Sequence, residues 1–220
     1  MKFKAAIFDM DGTLVNTLED ISDGVNEMLE HFNFPARSLE EVRKFVGNGA
    51  RKLVERSIPS EKSADKNFVD EALEYYDKCY SRHALNKSKP YEGIMELLTE
   101  LERKKIPLGI CTNKQKFAAI KIAEKILSPV KFSEIVGDEK GKVRKPNPSR
   151  VLEIAKKFGV QPAEVAYFGD TAIDMQTAHN AGFFSVGVSW GFRPKSELQE
   201  NNAEIIVDSP KEILQKINFF

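Results

Sequence analysis

The stretch KAAIFDMDGT, residues 4–13, decides how the chain is read. Its apolar residues Ala5, Ala6, Ile7 and Phe8 run without a polar interruption, the pattern of a strand buried on both faces of a parallel sheet, and the run ends in carboxylates. Similar runs return as PLGICTN at 107–113, VAYFGD at 165–170, FFSVGVSW at 183–190 and EIIVD at 204–208, with SEIVG at 133–137 as a weaker further candidate. Segments of helical periodicity separate them. Strands alternating with helices imply an α/β protein built on a Rossmann-like parallel sheet.

From about Thr17 to Lys89 the alternation stops and only helical patterns are found: ISDGVNEMLEHF, LEEVRKFV, ARKLVERS and the long FVDEALEYYDKCYSRHAL. The expected organisation is therefore a core of residues 1–16 and 90–220 carrying an inserted α-helical domain of residues 17–89. VNTLED supplies the outgoing hinge, and the turn formers of NKSKPYEG the return. There is no internal repeat and no low-complexity segment.

Bulk properties narrow the class. With 220 residues, 41% hydrophobic, the chain buries enough apolar surface to fold as one enzyme-sized unit, a monomer or small homo-oligomer. Lys+Arg and Asp+Glu each total 33, so no overall field recruits nucleic acid or an anionic membrane. No apolar run approaches the ~20 residues of a membrane span, and the N-terminus reaches two aspartates before a signal-peptide core forms. The two cysteines, Cys79 and Cys111, lack CxxC spacing and fit free thiols in a reducing compartment, so a cytoplasmic location is expected.

In open α/β sheets the binding crevice lies beyond the carboxyl ends of the strands. There the sequence puts Asp9 and Asp11, Thr112 and Asn113, and Asp170. Carboxylates converging on one crevice repel unless a cation neutralises them, and hard oxygen ligands favour Mg²⁺ over zinc. Thr112 and Asn113 are hydroxyl and amide donors, and VRKPNPS brings Lys145 between stiff turns. A metal, a lysine and a few donors together suit phosphoryl transfer, which needs in-line positioning and neutralised equatorial oxygens. Taken alone, Lys145 reads as a solvated loop cation and Asp174 as an exposed helix residue. His31, His83 and His179 are isolated from one another and from any cysteine pair, which argues against a transition-metal site.

FDMDGT at 8–13, CTN at 111–113, RKPNP at 144–148 and GDTAID at 169–174 together resemble the four ordered motifs of the haloacid dehalogenase superfamily, and the helical insertion resembles that superfamily's type 1 cap. The resemblance covers essentially the whole chain. It implies a phosphatase in which Asp9 attacks phosphorus and Asp11 serves as acid and then base. It further implies Mg²⁺ bound by Asp9, the Asp11 backbone and Asp170 with support from Asp174, and a phosphoryl group held by Thr112, Asn113 and Lys145. Gly12 allows the sharp turn that places Asp11 over the nucleophile. FVGNGARKLVER at 45–56, DGTLVNT and the terminal WGFRP are similar to segments of phosphoglycolate phosphatases. On that likeness Gly47, Asn48 and Gly49 would approach an anionic substrate group and Arg51 would pair with its carboxylate. Asn16 departs from the aspartate common there.

Other chemistries of the superfamily fit less well. The dehalogenases lack an acid/base two residues after the nucleophile, where this chain has Asp11. The phosphomutases carry a histidine where Ile21 stands and often Val where Thr13 stands. The phosphonatases use a cap lysine, for which Lys44 and Lys52 are candidates without a surrounding that activates an amine. The expected function is hydrolysis of a small phosphomonoester, 2-phosphoglycolate first. Pyrophosphate, nucleotide and sugar-phosphate hydrolysis are alternatives, as is a silent ligand-binding protein.

Overall fold

The structure, a computed structural model, describes residues 2–219. In chain order the elements are β1 (Ala5–Phe8), β2 (Val15–Asn16), α1 (Leu18–His31), α2 (Leu39–Phe45), α3 (Ala50–Ser57), α4 (Ser60–Ser63), α5 (Lys66–His83), β3 (Lys89–Pro90) and α6 (Ile94–Arg103). There follow β4 (Leu108–Gln115), α7 (Lys116–Ile126), β5 (Glu134–Asp138), α8 (Ser149–Phe158), β6 (Val165–Gly169), α9 (Ala172–Ala181), β7 (Phe184–Val188), α10 (Lys195–Glu200), β8 (Ile205–Val207) and α11 (Pro210–Lys216). Each apolar run of the sequence became a strand, the weak SEIVG included.

Six strands form one parallel sheet in the order β5-β4-β1-β6-β7-β8. β1 is central because both of its faces are apolar. Ala6 and Phe8 pack into one cluster with Leu97, Leu101, Ile122 and Phe168, while Ala5 and Ile7 pack into another with Ile154, Tyr167 and Ala178. Phe8 and Phe168 stack across the strand pair with centroids 4.6 Å apart. The chain leaves β1 toward β4 and β5, then crosses back to β6 on the other side, so the crevice opens beyond the carboxyl ends of β1 and β6.

Helices α1 to α5 enclose a third cluster of their own, including Val25, Met28, Leu53, Val69 and Tyr76, joined by Ala118 and Phe192 from the sheet unit. Ser38 and Glu41 form a capping box on α2, and the Asp65 side chain accepts from the first-turn N–H groups of α5. The two connections to the sheet unit pair antiparallel as β2 and β3, with Val15 opposite Pro90 and Asn16 opposite Lys89. Buried Asp20 fixes the return strand: it accepts from Lys87 N–H (2.9 Å), Ser88 N–H (2.8 Å) and Ser88 Oγ (2.6 Å). Among the described residues no helix is long and apolar enough to cross a membrane.

Candidate active site

Asp9 follows β1 and Asp170 follows β6, both buried, and their positions are set by the strands before them. The Asp9 N–H donates to Phe168 O at 2.9 Å, which locks the end of β1 to β6. Asp174 enters from the first turn of α9, where Thr171 caps the helix and donates to Asp174 Oδ2 from its N–H (3.1 Å) and its Oγ1 (2.7 Å). Carboxylate oxygens of Asp9, Asp170 and Asp174 all lie within 4.8 Å of one another.

Lys145, from the loop between β5 and α8, reaches this cluster with its side chain only 3% exposed. Its ammonium lies 2.7 Å from Asp174 Oδ1 and 2.8 Å from Asp9 Oδ1. Asp9 Oδ1 still accepts no well-directed hydrogen bond. Thr13 Oγ1 donates to Asp170 Oδ1 at 3.0 Å and the Phe192 N–H donates to Oδ2 at 2.8 Å. Gly12 has φ +86°, and a Cβ there would fall 2.3 Å from Asp170 Oδ2, so this turn admits only glycine.

Burial lifts the Asp9 carboxyl to about 6, with Lys145 pulling it down and Asp174 pushing it up. Asp170 is held well above the usual carboxylate range by burial, reinforced by Asp174 and Asp9. For Lys145 burial opposes the charge, yet the carboxylates of Asp174 and Asp9 hold its ammonium well above the ordinary lysine value. With Asp11 and Lys114 included, four carboxylates face two ammonium groups in a buried space. That excess of hard anionic oxygens, with three carboxylates converging at one point, fits a divalent cation.

A cavity of about 60 Å³ opens in front of Asp9, between the sheet unit and the helical segment. Asp11, Thr112, Asn113 and Lys145 line it, as do Gly47 and Gly49. The Asn113 side chain also has protein partners: its amide donates to Gly47 O (3.1 Å) and Lys145 O (3.3 Å), and its Oδ1 accepts from the Lys145 N–H (2.9 Å). It therefore fixes the lysine loop and the α2–α3 turn.

Two expected residues are not brought to the cavity. Asn48 does not line it, and Arg51 instead pairs with Asp70 and lines an outer groove with Leu73 and Asp77. Arg51 lies one residue into α3, and the helical rotation turns its side chain toward α5.

Lys114 was missed by sequence reasoning, although it directly follows Thr112 and Asn113 at the strand end. Its ammonium sits 2.9 and 3.1 Å from the two Asp11 oxygens and 4.5 Å from the centroid of the Tyr80 ring. Thr17 Oγ1 also donates to Asp11, at 2.7 Å. The loop after β7 was missed too. Arg193 donates to the carbonyls of Arg43 (2.6 Å), Lys44 (3.2 Å) and Val46 (2.5 Å), while Arg43 donates back to Phe192 O (3.0 Å) and Gly191 O (3.2 Å).

The model of the haloacid dehalogenase-like hydrolases matches the chain over residues 6–188. A protein named phosphoglycolate phosphatase from Chromobacterium violaceum is 32% identical over 96% of this chain and 94% of its own. One of the same name from Haemophilus influenzae is 31% identical over 97% of each. Among solved structures, a predicted phosphoglycolate phosphatase from Haemophilus somnus superposes with a TM-score of 0.90 at 28% identity, covering 98% of both chains.

Proposed function

The chain belongs to the haloacid dehalogenase-like hydrolases and is an enzyme of that family, and from that premise we propose that it is a Mg²⁺-dependent phosphatase acting on a small phosphomonoester, 2-phosphoglycolate first. The observation that carries this reading is the convergence of the Asp9, Asp170 and Asp174 carboxylates and Lys145 at the ends of two neighbouring parallel strands.

In the proposed reaction an Asp9 carboxylate oxygen attacks phosphorus and the bond from phosphorus to the leaving oxygen breaks. Asp11 gives its proton to that oxygen. Asp11 then takes a proton from water, whose oxygen attacks the aspartyl-phosphate, and inorganic phosphate leaves with the Asp9 carboxylate restored. Thr112 and Lys145 hold the phosphoryl oxygens. Asp174 holds Lys145 in place through the pair at 2.7 Å. Asp9, the Asp11 backbone carbonyl and Asp170 would hold Mg²⁺, which when bound supplies charge neutralisation for the transferring group.

Residues 17–89 act as a cap over the cavity, hinged at β2 and β3. The likeness to proteins named phosphoglycolate phosphatase over nearly the full chain supports the same substrate.

The test is phosphate release by the wild type and by Asp9→Asn from 2-phosphoglycolate, pyrophosphate, sugar phosphates and nucleotides, each with Mg²⁺ and with excess EDTA. The wild type should act on phosphoglycolate in a metal-dependent way and Asp9→Asn should release nothing. A preference for another ester would keep the chemistry and discard the substrate. Turnover by Asp9→Asn would remove Asp9 as nucleophile.

A further inference from the structure

The phosphoryl chemistry leaves two cavity residues without a task. Lys114 extends from the end of β4, with its side chain only 5% exposed. An ammonium carries three N–H donors. Two are accounted for by the Asp11 oxygens; the ammonium also lies 4.5 Å from the centroid of the Tyr80 ring, and no further oxygen acceptor for Lys114 is found among the described residues. Tyr80, on α5, lines the same cavity and is 3% exposed, yet its hydroxyl has no hydrogen-bond partner among the described residues. A buried phenol normally finds an acceptor, because an orphaned donor costs its full desolvation.

The setting of these two groups is selective. α3 starts beside them after Gly49 with no side-chain cap, and Gly49 and Ala50 line the cavity. The first N–H groups of a helix carry partial positive charge. Ile21, Leu53, Tyr76 and Phe192 give the cavity an apolar side, while the polar Gln115 and Thr171, both uncharged, also line it. Arg51 is committed outside to Asp70, which leaves Lys114 as the cavity's cation besides Lys145.

We propose that Lys114 and Tyr80 form a subsite for a carboxylate on the leaving group of the substrate, with one carboxylate oxygen on the free Lys114 donor and the other on the Tyr80 hydroxyl. A planar monoanion matches one ammonium donor and one phenol. A second phosphoryl group would bring more charge than an ammonium already shared with Asp11 neutralises. This specificity role rests on the phosphatase reading above and goes past it: the carboxylate is read from β4 and α5, not by the α2–α3 turn.

The experiment compares kcat/KM for 2-phosphoglycolate and for ethyl phosphate, which keeps the carbon count and lacks the carboxylate, in the wild type, Tyr80→Phe, Lys114→Met and Lys114→Arg. The wild type should favour phosphoglycolate by at least about 100-fold. Tyr80→Phe should lower that ratio about tenfold through KM, while its Tm stays equal or rises because an unsatisfied buried hydroxyl is gone. Lys114→Met should lower the ratio about 100-fold and Lys114→Arg should restore part of it. A purely structural role for either residue would depress both esters alike, and an unchanged ratio in Tyr80→Phe and Lys114→Met overturns the subsite while phosphatase activity stands. Metal-dependent release from ethyl phosphate without preference for the acid also overturns it. If the wild type releases phosphate from no ester at all, the phosphatase reading fails and the subsite with it.

Discussion

Gly191→Ala isolates the contact between the loop after β7 and Asp170. A Cβ at this position would lie 2.2 Å from Asp170 Cβ, 2.5 Å from Asp170 Oδ2 and 2.5 Å from Gly12 O. A backbone oxygen and a Cβ cannot rotate away, so the loop must retreat. Its retreat breaks the bond from Phe192 N–H to Asp170 Oδ2, 2.8 Å long in the native structure. Overpacking of this kind costs roughly 1–3 kcal/mol, and loss of a hydrogen bond to a buried carboxylate adds roughly 1.5–3 kcal/mol. An expected loss of about 3–5 kcal/mol corresponds, at about 2–4 °C per kcal/mol for a chain of this size, to a fall in Tm of roughly 6–20 °C. Gly141→Ala is the control: φ is +78° there, but a Cβ meets nothing within 4 Å. It should cost only the backbone strain of about 1–2 kcal/mol. Thermal melts in EDTA read the stability difference, and Mg²⁺ titration of phosphate release reads the displacement of Asp170, which should raise the half-saturating concentration in Gly191→Ala alone. If Gly191→Ala melts within about 3 °C of the control, or shows wild-type metal dependence, the loop does not hold Asp170.

Lys145→Met leaves the buried Asp9 and Asp174 carboxylates without their counter-ion, a loss of about 3–5 kcal/mol in EDTA by melting. Added Mg²⁺ should recover part of it, and a variant as stable as wild type would contradict the pairing. Asp9 at about 6 and the raised Asp170 keep protons in the folded, metal-free protein that the unfolded chain gives up near 3.8. The Asp9 contribution to stability is therefore fully present below about pH 3.8 and is lost as pH rises through about 6. Mg²⁺ must displace those protons, so calorimetry in buffers of different ionisation enthalpy should find more proton release on binding at pH 5.5 than at pH 8. Equal release at both would show that Asp9 is already ionised. Asp20→Ala strips the acceptor from Lys87, Ser88 and the Ser88 hydroxyl, at about 2–4 kcal/mol. Limited proteolysis should then cut near residues 86–90 faster than in the wild type, and an unchanged cleavage rate would deny Asp20 its part in holding the return strand.

The sheet and its carboxylates were legible because a strand buried on both faces leaves a continuous apolar run, and because the runs of β1, β4 and β6 end in Asp9, in Thr112 and Asn113, and in Asp170 at the crevice. The helical segment was legible from periodicity alone. The pairing of β2 with β3 was not: two residues a side among turn formers carry no alternation. Arg51 illustrates the limit for side chains, since one step along α3 decides between the cavity and Asp70. The protein partners of the Asn113 side chain were not legible, because an amide bonds whichever backbone groups the fold delivers, here those of Gly47 and Lys145. Lys114 carried a signal in its place directly after Asn113, but a lysine at a strand end reads as solvated until a buried carboxylate is found opposite it.

Arg43 and Arg193 stand about 150 residues apart and carry no pattern in sequence, yet their exchange of hydrogen bonds explains how the helical segment and the crevice keep a common geometry. The last carbonyls of α2 have no partner within the helix, and the Arg193 guanidinium supplies it from the sheet unit. The same loop sends the Phe192 side chain into the helical cluster and the Phe192 N–H to Asp170. A shift of α2 away from the sheet must therefore either break bonds to three carbonyls or pull on the residue that holds Asp170. Because α2 leads directly into the Gly47–Gly49 turn, the position of that turn over the cavity and the position of Asp170 beneath it are fixed by one short loop.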